Sequence, residues 1–152
     1  MTLALVRTAL AGQAVAVGAL TPLTYYGTTL PPALTTGHLP CRLLLAGDAQ
    51  GRSNAGSFVA LGKLAQTTRQ ISDLLFWQAV AQGIGRSGVE ADLTTYCDNY
   101  ETMLRNFRSA GQSAAHILSW QLDIQTIAYP AQSTFTCWGV VCIVQIQEYA
   151  SG

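Results

Sequence analysis

Charge is what this sequence has least of. Its 152 residues include eight Lys or Arg and eight Asp or Glu, so 11% are charged and the formal net charge is zero. An average soluble domain carries about 25%. A zero balance removes the electrostatic footprint of a sequence-independent nucleic-acid binder. Long apolar runs are missing too: a membrane span needs about 20 mostly apolar residues. The nearest case, Met1 to Gly18, carries Arg7 within its apolar run and no basic region before it. That is the reverse of a secretory signal, so the segment reads as a helix of the mature fold. Cys-x-x-Cys is absent. Of Cys41, Cys97, Cys137 and Cys142, only the last two are close in sequence. On one strand their odd offset points them to opposite faces. His38 and His116 lie far from any cysteine cluster, so no metal site is predicted. Four buried thiols in a reducing compartment is the expectation.

What is present is hydrophobicity, at 49% of residues, which excludes disorder. The length fits one domain, 1–152, with a core that needs no staples. So little charge raises the question of how the surface stays soluble. An oligomer that buries much of it is one answer.

Leu3, Val6, Leu10, Ala14 and Val17 follow helical spacing behind a Thr2 cap, predicting a helix to about Val17 that stops at Gly18. Residues 20–40 are Pro/Thr-rich, and their prolines exclude a helix or a long central strand. A short strand is allowed near Thr24–Tyr26. Cys41–Ala46 reads as a buried strand, and 47–62 as one long Gly/Ser loop, above the usual loop length. β-favouring residues from Gln66 to Ala81 predict a long strand, bent or bulged near Asp73. Ser87 and Glu90 match a capping box. Behind it Val89, Leu93, Tyr96, Tyr100, Met103, Leu104 and Phe107 form one apolar stripe, giving a helix from about Gly88 to Ser109. Strands at 117–128 and 135–149 close the chain around a Tyr129–Ser133 turn. The last is apolar on both faces from Cys137 to Val144, so it belongs in the middle of a sheet. Trp77, Trp120 and Trp138 are expected to share the core. The predicted class is α+β: a mostly antiparallel sheet packed with two main helices in a single domain.

The candidate chemistry is thin. Ser53 sits in Gly51-Arg52-Ser53-Asn54-Ala55, where a nucleophile elbow requires Gly in place of Ala55. Gly56 to Lys63 has five residues where a phosphate loop has four before its Gly-Lys, and leads into a strand rather than a helix. Gly47-Asp48-Ala49 is shared with flavin monooxygenases, which need several hundred residues and a Gly-rich first unit. Asp73, an acid within an apolar strand, is expected at a bulge or edge, or paired with a neighbour such as Arg69. His38 and His116 read as surface or satisfied residues. No enzyme, cofactor or metal is therefore expected.

The segment order carries a resemblance. A helix and a Tyr-containing strand lead to Leu39-Pro40-Cys41-Arg42-Leu43-Leu44-Leu45. A Gly-rich loop leads to Thr67-Thr68-Arg69-Gln70-Ile71 and on to Val80-Ala81-Gln82-Gly83. A helix opens at Ser87-Gly88-Val89-Glu90-Ala91. The ending runs from Tyr129-Pro130 through Phe135 and Trp138-Gly139-Val140-Val141 to Val144-Gln145-Ile146-Gln147-Glu148-Tyr149. From Leu20 to Tyr149 this resembles the tail terminators (tail-completion proteins) of long-tailed bacteriophages, departing in its apolar N-terminal helix and low acidic content. The resemblance implies a homohexameric virion ring that caps the tail tube, meets the head connector or neck protein, and lets DNA pass through its lumen, with no membrane partner. It places the protein in the virion tail, and in the host cytoplasm during assembly. The candidate interaction residues are Arg52, Ser53, Asn54, Phe58, Lys63 and Arg69, with the 47–62 loop ordered by a neighbouring subunit or ring. Another head–tail joining protein, or a small α+β ligand-binding or enzymatic domain, is the alternative.

Overall fold

A computed structural model describes residues 3–46, 54–58, 64–107 and 115–151. Two helices, α1 (Leu3–Ala11) and α2 (Arg86–Asn106), accompany six strands: β1 (Leu23–Tyr26), β2 (Cys41–Ala46), β3 (Asn54–Phe58), β4 (Leu64–Ala79), β5 (Ala115–Ala128) and β6 (Thr136–Ser151). They form one mixed sheet in the order β1-β2-β4-β6-β5, with β3 also pairing β4. Only β1 and β2 are parallel; the other pairs are antiparallel. This is the α+β class expected.

Both helices lie on one face, α1 against β1 and β2, α2 against β5 and β6. The period of the α2 stripe explains its seat. Val89, Leu93, Tyr96, Tyr100 and Leu104 are buried, one row at helical spacing, over Leu44, Ile71, Leu75, Val140, Cys142, Val144 and Ile146 of the sheet. The opposite face is covered at one end. There Leu30, Leu34, Leu39, Tyr129 and Phe135 pack on Cys41, Leu43, Leu74, Phe76, Cys137 and Val141. The Leu34 amide donates to the Tyr129 carbonyl at 3.1 Å. β6 is central, as its two apolar faces require, and Cys137 and Cys142 point to opposite faces. All four cysteines are free thiols. Cys97 is only half-buried.

Several boundaries differ from the sequence reading. α1 ends at Ala11, not Val17. The Gln13 carbonyl, which would bond the Val17 amide in a continuing helix, instead accepts from Arg42 Nη1 at 2.6 Å. The Ala16 carbonyl accepts from Asn99 Nδ2 at 2.9 Å, and the Val17 amide turns to the Leu20 carbonyl. Tertiary donors have taken the acceptors a longer helix needs. α2 begins at Arg86 with Gly85 as N-cap and no side-chain cap. Ser87 is thus inside the helix, and Glu90 pairs with Arg86 at 3.7 Å on the surface. The irregularity of β4 lies between Phe76 and Gln78, not near Asp73. Part of the expected 47–62 loop is strand β3. Trp120 is 37% exposed and leaves the core to Trp77 and Trp138.

Candidate functional site

Of the six candidate interaction residues, Arg52, Ser53 and Lys63 lie outside the described residues. Asn54 and Phe58 open and close β3, opposite Arg69 and Ala65 of β4. Asn54 and Arg69 are therefore direct register partners, and Arg69 is half-buried, with Ile146 on its other side. β2 and β3 occupy the same edge of β4 in succession: Ala46 faces Ile71 and Asn54 faces Arg69. A single β4 position, Gln70, separates the two pairings.

The acid in β4 is not at a bulge or an edge, and it pairs with Arg42. Asp73 stands in regular pairing between Leu44 and Cys142. Its carboxylate accepts from Arg42 Nε at 3.2 Å and Arg42 Nη2 at 2.5 Å. Tyr100 OH donates to it at 2.6 Å. The Arg42 guanidinium also lies 5.8 Å from the Tyr100 ring centre. Burial alone would lower the Arg42 pKa. The Asp73 carboxylate, and then Tyr96, more than reverse that and hold it above its ordinary value. Burial, then the Asp73 charge, pushes Tyr96 and Tyr100 well above 10. Neither groove described below reaches this cluster. It ties β2, β4, α2 and the chain after α1 together. The sequence signal for it was available: Arg42 is the one charge of β2, and Asp73 the one charge of the buried stretch Ile71–Trp77 of β4.

His38 is satisfied locally. The Thr35 amide donates to its Nδ1 at 3.0 Å, and its ring meets Tyr25 edge-on at 6.0 Å. No group of three or more metal-binding side chains, and no helix long and apolar enough to cross a membrane, occurs among the described residues.

Two grooves remain. One, of about 860 Å³, lies on the sheet face away from the helices, floored by Leu74, Val141 and Ile143 and edged by Gln70, Gln125 and the Tyr129–Gln132 turn. The other, about 360 Å³, lies where α2 ends beside β5, between Leu104, Arg105, His116, Ile117 and Trp120.

The most exposed apolar feature is the sheet's own rim. β5 is the last strand in the order and pairs only β6. No described strand other than β6 pairs with it. Asp123 is its only Asp, Glu, Lys or Arg. Leu118, at a bulge, is 49% exposed, and Trp120 stands beside it. Natural edge strands are usually short, or guarded by lysine and proline; β5 is neither. At the other rim, β1 pairs only β2. Leu23 of β1 is 67% exposed, Leu20 just before it 54%, and Leu5 of α1 50%. No Lys, Arg, Asp or Glu occurs between Arg7 and Arg42. Sequence reading registered the low total charge but not this rim, because an edge is defined by which neighbours a strand lacks.

The chain matches no protein-family model and no curated protein.

Proposed function

We propose that the protein is a structural, non-enzymatic ring subunit of a bacteriophage tail, of the tail-terminator kind, closing the tail tube and joining it to the head connector. The observation that carries the assembly part of this reading is β5: a long, nearly uncharged edge strand with Leu118 and Trp120 exposed. A strand so unprotected templates pairing with another chain, and obligate interfaces are apolar surfaces of 2,000 Å² or more. The phage part rests on the order of elements: helix, Tyr-bearing short strand, apolar strand, long strand, helix, closing hairpin. Ring closure follows when a head-to-tail contact repeats by a rotation that returns to its start. The partners on this reading are further copies of the chain, the tail tube and a neck protein, with DNA only traversing the lumen.

The groove of about 860 Å³ on the open sheet face favours a second reading, a small ligand-binding domain. Light scattering with negative-stain microscopy at two concentrations separates the two. Rings of about six subunits with a central hole are expected. A strict monomer that binds a small molecule in that groove would replace the first reading with the second.

A further inference from the structure

We infer that copies of this chain join head to tail, the β5 edge of one meeting the β1 edge of the next. The inference rests on the ring reading and names its interface. Three observations carry it.

The first is placement. Among the large exposed apolar side chains, Leu118 and Trp120 stand on β5 and Leu23 on β1, with Leu20 just before β1 and Leu5 on α1, which packs on β1 and β2. Strand order puts β5 and β1 at opposite ends of the sheet. A two-fold contact between β5 edges would cover only the first of these edges. A head-to-tail contact covers both, and does so on every copy.

The second is direction. β1 and β2 run together, and each later step of the order, β2 to β4, β4 to β6 and β6 to β5, reverses direction. β5 therefore runs opposite to β1. A second copy placed alongside in the same orientation brings its β1 antiparallel to β5, the commoner pairing. The layers also agree. Trp120 faces the helix side, opposite Val144 in register and beside Leu104 of α2. Leu5 belongs to α1 on that same side. On the helix side the apolar surface of one copy thus continues into that of the next, while Leu23, in register with Cys41, lies on the opposite face of the β1 edge.

The third is area and charge. The subunit exposes 7942 Å². A standard interface takes about 800 Å² per partner, so two junctions cover roughly a fifth of that surface. The β1 rim belongs to the stretch between Arg7 and Arg42 that carries no formal charge, and β5 contributes Asp123 alone. Joining them desolvates little charge, the main cost of burying a surface.

The test uses the full chain in two versions. One carries Leu118→Asp and Trp120→Asp, the other Leu20→Asp and Leu23→Asp, each checked for native circular dichroism. Leu118→Asp alone replaces the first version if the pair misfolds. Each version by itself is expected to be monomeric by light scattering. Their equimolar mixture is expected to give a one-to-one dimer, since a single intact junction remains. A β1-rim version that still dimerises, or versions that form rings like the parent, would overturn the inference and leave the ring reading standing. Open filaments of the parent, blocked by either version, would uphold the inference and end the ring reading. A parent that stays monomeric at about 1 mM would overturn both.

Discussion

Arg42 and Asp73 form a two-bond ion pair on the helix-covered face of the sheet, each 1% exposed. They are diagonal neighbours: Arg42 pairs in register with Leu75, and Asp73 with Leu44. Arg42 Nη1 also donates to the Gln13 carbonyl, and the Asp73 carboxylate also accepts from the Tyr100 hydroxyl. An ion pair so enclosed gives little net stability over an apolar pair, but losing one partner strands a charge. Asp73→Ala should therefore lower unfolding free energy by about 3–5 kcal/mol, a large part of the usual total of about 5–15. Arg42→Met combined with Asp73→Leu should recover most of that loss. Urea midpoints read both. A double variant no more stable than Asp73→Ala would show that the pair's role lies elsewhere.

Stability should fall on the alkaline side. Burial pushes the Cys137 thiol up to about 11 and Cys41, which also feels Cys137, to about 12. Cys142, Tyr96 and Tyr100 are raised as well, burial again leading. Unfolded thiols ionise near the ordinary 9.0, so above that pH the unfolded chain binds fewer protons than the folded one. The contribution is complete below pH 9 and drains away as pH climbs toward the folded values, by about 1.4 kcal/mol per pH unit for each fully buried group. Thermal melts from pH 7 to 11 should show a plateau and then a decline, shallower in Cys41→Ala. A level profile to pH 11 contradicts this.

Gly139 should tolerate no side chain. It faces Phe76 where β4 bulges, and a Cβ there would collide with the Leu75 carbonyl oxygen. Backbone inside a sheet cannot move aside as a side-chain tip can. Gly139→Ala should cost at least the roughly 1–3 kcal/mol of an overpacked core, seen as lost soluble yield or a lowered melting temperature. A variant as stable as the parent would mean β4 can shift here.

Ser87→Ala should change stability by less than about 0.5 kcal/mol, because Gly85, not Ser87, is the N-cap of α2. A loss of about 1 kcal/mol, the usual value of a Ser cap, would restore the capping box to Ser87 and Glu90. Circular dichroism melts of the two proteins decide it.

Trp138→Phe should cost about 0.5–1.5 kcal/mol, the net worth of one neutral hydrogen bond. Its indole Nε1 donates to the Ile84 carbonyl at 2.9 Å, fastening the turn before α2 to β6. A denaturant midpoint unchanged from the parent would show that this bond holds nothing.

The sequence by itself determined what depends on local period. The bounds of β2 agree with the expected Cys41–Ala46 because an apolar run between Pro40 and Gly47 has one reading. The buried row of α2, the central place of β6 and the opposed faces of Cys137 and Cys142 follow from repeats of 3.6 and 2. Tertiary structure decided whatever needed a partner far along the chain. α1 stops early because Arg42 and Asn99 claim carbonyls at Gln13 and Ala16. Asp73 stays in regular strand because Arg42 and Tyr100 reach it from β2 and α2. Above all, the candidate site is a rim. A strand's residues say how it folds, but only the assembled sheet decides that β5 and β1 are its ends, and therefore which backbone groups and which of the leucines and tryptophans are left facing outward.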